Sequence, residues 1–94
     1  MRDLDITSQL KAIESLKCAL LSDIALLFEQ LRVTSRENEL DESFVQTLIH
    51  LYLLAKRAGV DFAALNAQAA AQLRRDTLED GCPPEKQALL RFLS

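Results

Sequence analysis

Ile6, Ile13, Leu20 and Leu27 recur every seven residues, and Leu10, Lys17, Ile24 and Leu31 recur with them as a companion series. A seven-residue apolar repeat keeps one seam on one side of a helix, so the stretch from about Asp5 to Arg32 is expected to be one long helix. Lys17 is the single polar member of the seam. The second half is broader: Leu20, Leu21, Ile24, Ala25, Leu26, Leu27 and Phe28 leave only Ser22 and Asp23 polar. An apolar face that wide is covered from more than one direction. A helix of about 27 residues is about 40 Å long. A compact 94-residue globule is only roughly 32 Å across. Nothing in the segment KAIESLKCALL requires a break near Ser15.

Downstream, Val33 to Asp41 is polar, with capping-box spacings at Thr34–Glu37 and Ser35–Asn38. A second helix is expected from Asp41 or Glu42 to Ala58. Phe44, Leu48, Leu51, Ala55 and Ala58 line one of its faces, with Val45, Ile49 and Tyr52 beside them. Gly59 supplies a left-handed residue to close it, and Asp61 caps a third helix over Phe62 to Glu79, which makes an antiparallel helical hairpin. On that third helix Phe62, Leu65, Ala69 and Leu73 trace one face. Gly81 ends it, and Pro83-Pro84 opens a short fourth helix over Glu85 to Leu93. The fold class is thus all-α: a small bundle of three main helices and a short C-terminal one, in a single domain over residues 1–94, completed by dimerisation. The second helix, at about 17 residues, covers only about 25 Å of the first, and a second copy is the simplest cover for the rest. Ile6, Leu10, Ile13 and Lys17 are the expected interface.

Several functions are disfavoured. Eleven basic against fourteen acidic residues give a net charge of −3, and the only adjacent basic pairs are Lys56-Arg57 and Arg74-Arg75. No nucleic-acid partner is expected from so weak an electrostatic footprint. No apolar run approaches a membrane span and the start, MRDLDITSQ, has no signal-peptide character, so no membrane partner and a cytoplasmic location are expected. Cys18 and Cys82 read as free thiols of a reducing compartment. His50, the only histidine, lies among Ile49, Leu51 and Tyr52 and is a poor base for either cysteine. Two glycines in separate turns make no phosphate loop. No cofactor is expected.

Carboxylate metal chemistry is the remaining candidate, because helical bundles build such sites from acids one turn apart on facing helices. The segment His50 to Asp76, HLYLLAKRAGVDFAALNAQAAAQLRRD, resembles the helical hairpin of the MazG-like all-α nucleotide pyrophosphohydrolases. The resemblance implies magnesium held by a Glu-x-x-Glu pair on the first helix and a Glu-x-x-Asp pair on the second. Counting back from Gly59, the second pair falls on Ser43 and Gln46, and the first falls near Asp23 and Leu26. Only Asp23 keeps a carboxylate, with Glu39 and Glu42 as a pair under a shifted register. The metal-binding pattern is largely missing, so the resemblance implies a fold and a dimeric habit more than an activity. The leading expectation is therefore a non-catalytic helical protein that associates with itself or with a protein partner. A magnesium-dependent nucleoside triphosphate pyrophosphohydrolase, with Asp23 and Glu42 as metal residues, is one alternative. A regulator holding a small ligand among Phe28, Phe44, Tyr52 and Phe62 is the other.

Overall fold

The structure, a computed structural model, describes residues 2–33 and 37–94, with side chains over 6–33 and 39–94. Its elements are α1 (Arg2–Arg32), α2 (Glu37–Arg57), α3 (Phe62–Asp76) and α4 (Pro84–Leu93), and no strand occurs among the described residues. The fold is all-α. The capping spacings sought between α1 and α2 rest on Thr34 and Ser35, which lie outside the described residues. Two compact units divide the chain, residues 1–59 with α1 and α2, and residues 60–94 with α3 and α4. Among the described residues no helix is long and apolar enough to cross a membrane.

In the first unit α1 runs unbroken through Ser15 for 31 residues, about 46 Å at 1.5 Å per residue. α2 begins at Glu37, four residues before the earliest expected start. Acidic residues in its opening turns (Glu39, Asp41, Glu42) favour a helix N-terminus, and nothing in the segment breaks the helix. The two helices are antiparallel, since Asp23 meets His50 and Gln30 meets Ser43 further along α1. At the far end Arg57 Nη1 donates to Gln9 Oε1 at 3.1 Å, so the C-terminal end of α2 reaches α1 as far down as Gln9.

The faces that meet are not the expected ones. α2 turns Ser43, Thr47, His50 and Leu54 inward, and these are buried or half-buried. Its apolar stripe stays outside, with Phe44, Leu48 and Leu51 about half exposed. From α1, Leu27 is the buried apolar residue, flanked by half-buried Leu20, Asp23, Ile24 and Gln30. Hydrophobic spacing identifies which face of a helix is apolar, but not which neighbour covers it.

Gly59 closes α2 at φ +94°, with its N–H on the Lys56 carbonyl at 3.1 Å. A Cβ there would meet nothing within 4 Å, so replacement by alanine is a test of backbone strain alone. We expect Gly59→Ala to cost about 1 kcal/mol, a fall of roughly 4–8 °C in a thermal melt.

In the second unit Asp61 stands at the N-cap of α3 with extended backbone, and its carbonyl accepts from Leu65 N–H at 2.9 Å. Its side chain makes no capping hydrogen bond, contrary to the role expected of it. The buried face of α3 carries Ala70 and Leu73, not Ala69. α3 ends at Asp76, three residues early, because Thr77 caps it: Thr77 Oγ1 donates back to the Arg74 carbonyl at 3.0 Å. Tighter turns through Leu78 and Glu79 then lead to Gly81 at φ +79°. Pro83 is the N-cap of α4 and Pro84 opens it. Lys86 Nζ donates to Asp76 Oδ2 at 3.1 Å, tying α4 to the end of α3. That hydrogen bond, with the charge of Asp76, holds the Lys86 ammonium above its usual 10.5. A raised lysine value means that the tie is fully present below the unfolded value and is lost as pH rises through the folded one.

Candidate functional site

A cleft of about 270 Å³ opens on the first unit, lined by Asp23, Leu26 and Gln30 of α1 and Glu39, Glu42, Ser43 and Gln46 of α2. The structure thereby brings together Asp23, Leu26, Ser43 and Gln46, the positions to which the metal pattern maps, and adds Glu39 and Glu42 at the rim. Asp23 is 15% exposed and Ser43 is 8% exposed, whereas both glutamates are exposed.

Two residues of this site were not singled out for it in the sequence. Gln30 stands seven residues after Asp23, and His50 seven after Ser43, so each shares a helix face with its partner. That heptad spacing was the available signal. Ser43 Oγ donates to Gln30 Oε1 across the helices. Asp23 Oδ2 meets His50 Nδ1. An ionised carboxylate only accepts, so Nδ1 carries the proton; in the neutral ring Nε2 then accepts from the Gln46 amide, 3.2 Å away. Thr47, between them, returns its hydroxyl to the Ser43 carbonyl at 2.8 Å. Among the described residues no buried side-chain nitrogen or oxygen lacks a partner.

Serine, histidine and aspartate thus share one site, but not as a nucleophilic triad. A triad needs the hydroxyl on the imidazole nitrogen that Asp does not hold. Here that nitrogen faces Gln46, and the Ser43 hydroxyl is given to Gln30. Magnesium does not fit either. Mg²⁺ is held by carboxylates in near-octahedral geometry, and here an Asp23 oxygen is engaged by an imidazole N–H, Ser43, Gln46 and Leu26 bring no anionic oxygen, and the carboxylates of Glu39 and Glu42 stand exposed at the rim. No group of three or more His, Cys, Asp or Glu converges on a metal position among the described residues.

None of the other expected site residues lines the cleft. Ile6 and Leu10 are each 58% exposed, Ile13 is half-buried, and Lys17 donates from Nζ to Glu14 Oε1 at 2.8 Å. That hydrogen bond and the Glu14 charge raise the Lys17 value above 10.5. Phe28 and Phe44 are exposed and Tyr52 is half-buried, and none of the three lines the cleft. Phe62, at the start of α3, belongs to the second unit. A groove on that unit is lined by Thr77, Gln87, Leu90 and Arg91, without a nucleophile–base pair.

The apolar stripes have a definite place relative to the cleft. On α2, Phe44, Leu48, Leu51 and Ala55 lie about 100° around the helix from the inward line of Ser43, His50 and Leu54, at 100° per residue. On α1, Leu10, Lys17, Leu21 and Phe28 lie about as far, in the same sense, from the line of Asp23, Leu27 and Gln30. Because the helices are antiparallel, equal turns bring both stripes to the same side of the hairpin. Leu26, Glu42 and Gln46 turn the other way. The hairpin therefore has an apolar side and a polar, cleft-bearing side.

No curated protein and no solved structure matches the chain. The model of the MazG-like family matches residues 6–88, most of the sequence and all of the cleft. The chain belongs to the MazG-like family.

Proposed function

We infer that this MazG-like chain is a non-catalytic interaction protein that works by self-association through the apolar side of its α1–α2 hairpin. The observation that carries the reading is the exposure of that side. Ile6, Leu10, Leu21, Phe28, Leu31, Phe44, Leu48 and Leu51 are between 47% and 70% exposed. At roughly 200 Å² per large side chain, covering them removes on the order of 800 Å², about one partner's share of a standard interface. The face is self-complementary in character, apolar throughout but for Lys17, whose charge is met by Glu14 within its own helix. A second copy is therefore the simplest occupant. Two free thiols are in keeping with action in a reducing cytoplasm. Light scattering coupled to size exclusion should give twice the 10.5 kDa chain mass across micromolar concentrations. A mass of 10.5 kDa throughout overturns self-association.

Family membership, with Asp23 and Glu42 on one cleft, favours a second reading, magnesium-dependent hydrolysis of a nucleoside triphosphate. The donor set speaks against it. Purified protein is expected to release no pyrophosphate from nucleoside triphosphates with magnesium or manganese. Turnover that disappears in Asp23→Ala would establish the enzyme instead.

A further inference from the structure

We propose that Asp23 and Ser43, two residues standing where the family holds its metal, form with His50 and Gln30 a metal-independent polar clasp that sets the register of α2 on α1. Both of its cross-helix bonds obey one rule. Asp23 meets His50 and Gln30 meets Ser43, and a step of seven along α1 is matched by a step of seven back along α2. The apolar residues impose no such rule. On α1 the half-buried Leu16, Leu20 and Ile24 recur turn by turn, so a slip of one turn gives Leu54, the inward leucine of α2, another aliphatic neighbour at little cost. The polar residues do not tolerate the same slip. A shift of three residues in one direction sets Leu27 against Ser43 and Asp23 against Thr47, whose hydroxyl is already given to its own helix. A shift of four in the other direction sets Leu27 against His50 and Asp23 against Leu54. Each alternative strands a polar group that is buried or nearly so, which is costly. A few buried polar groups fixing register at some expense of stability is a known device in paired helices. In this hairpin the inward face of α2 carries Ser43, Thr47 and His50 where leucine would pack, and that is where specificity is needed.

The clasp is a property of the hairpin itself, and so is separable from self-association. The test uses the full chain and two readouts, thermal melting and ¹⁵N–¹H correlation spectra. Asp23→Leu alone leaves the His50 N–H without its acceptor, and its melt should fall by roughly 5–15 °C. Asp23→Leu with His50→Leu removes both polar groups. It should melt within a few degrees of wild type or above it, yet show doubled resonances along α1 and α2 as the helices sample more than one register. Asp23→Asn keeps an oxygen that can accept from Nδ1 and should retain a single set of resonances. Millimolar magnesium should move none of these melts. The proposal is overturned if the double leucine variant keeps one register, if Asp23→Asn loses it, or if magnesium raises the wild-type melt by several degrees.

Discussion

Replacing Leu10 and Ile13 together by glutamate should convert the protein to a monomer at micromolar concentration and lower its thermal stability. Leu10 is 58% exposed and Ile13 half-buried in a single chain, so neither side chain is needed to pack α1 on α2 to the degree that Leu27 is. Covering large apolar side chains contributes about 1.5–3 kcal/mol each. Two per chain, present twice in a symmetric pair, make up several kcal/mol of the association, and four carboxylates brought to one interface oppose it further. The control is Lys11→Glu with Ser15→Glu, on exposed positions of α1 turned away from the seam. That pair adds two carboxylates and removes a cation, a larger change of charge, and should still change neither mass nor melt appreciably. Scattering mass at several concentrations separates the outcomes: equal dissociation by both pairs would mean that added charge, and not the seam, governs association.

The second large effect is inside the hairpin. Leu27 is 7% exposed, and its neighbour Leu26 is 54% exposed on the cleft side. Leu27→Ala removes packed atoms and leaves a cavity, which commonly costs 2–5 kcal/mol. In a domain of this size that approaches the whole margin of stability. Leu26→Ala, an identical change one residue away, should cost no more than about 0.5 kcal/mol. Urea titrations of the two variants check this directly, and equal losses would show that α1 is rotated from the orientation described above.

Much of this was legible in the residues. The heptads of Ile6 to Leu31 dictated a continuous α1, and Gly59 and Pro83-Pro84 marked where helices stop and start, whereas α3 ends at its cap Thr77, ahead of the Gly81 expected to stop it. Counting back from Gly59 carried Ser43 and Gln46 to the same cleft as Asp23 and Leu26, because helices of fixed rise preserve spacing from a fixed stop. What was not legible is which face of α2 meets α1. The apolar stripe of Phe44, Leu48 and Leu51 has the stronger hydrophobic pattern, yet Ser43, Thr47 and His50 face inward. Periodicity measures the apolar character of a face and carries no information about hydrogen bonds to another helix. For the same reason His50, read alone among Ile49, Leu51 and Tyr52, gave no hint of Asp23. Only the shared seven-residue step, Asp23 to Gln30 and Ser43 to His50, links them, and it becomes visible once the helices are known to be antiparallel.

The two-sided construction of the hairpin has a consequence for how such a sequence can change. Substitutions at Leu26, Glu42 or Gln46 fall on one side and those at Leu10, Phe28 or Leu48 on the other, and substitutions that share no partner add nearly independently. The chemistry offered to solvent can thus be lost, altered or regained without disturbing the face proposed for self-association, and the reverse is equally true. A hairpin so arranged is two nearly independent heritable traits carried on one pair of helices, linked only through the few residues that lie between them.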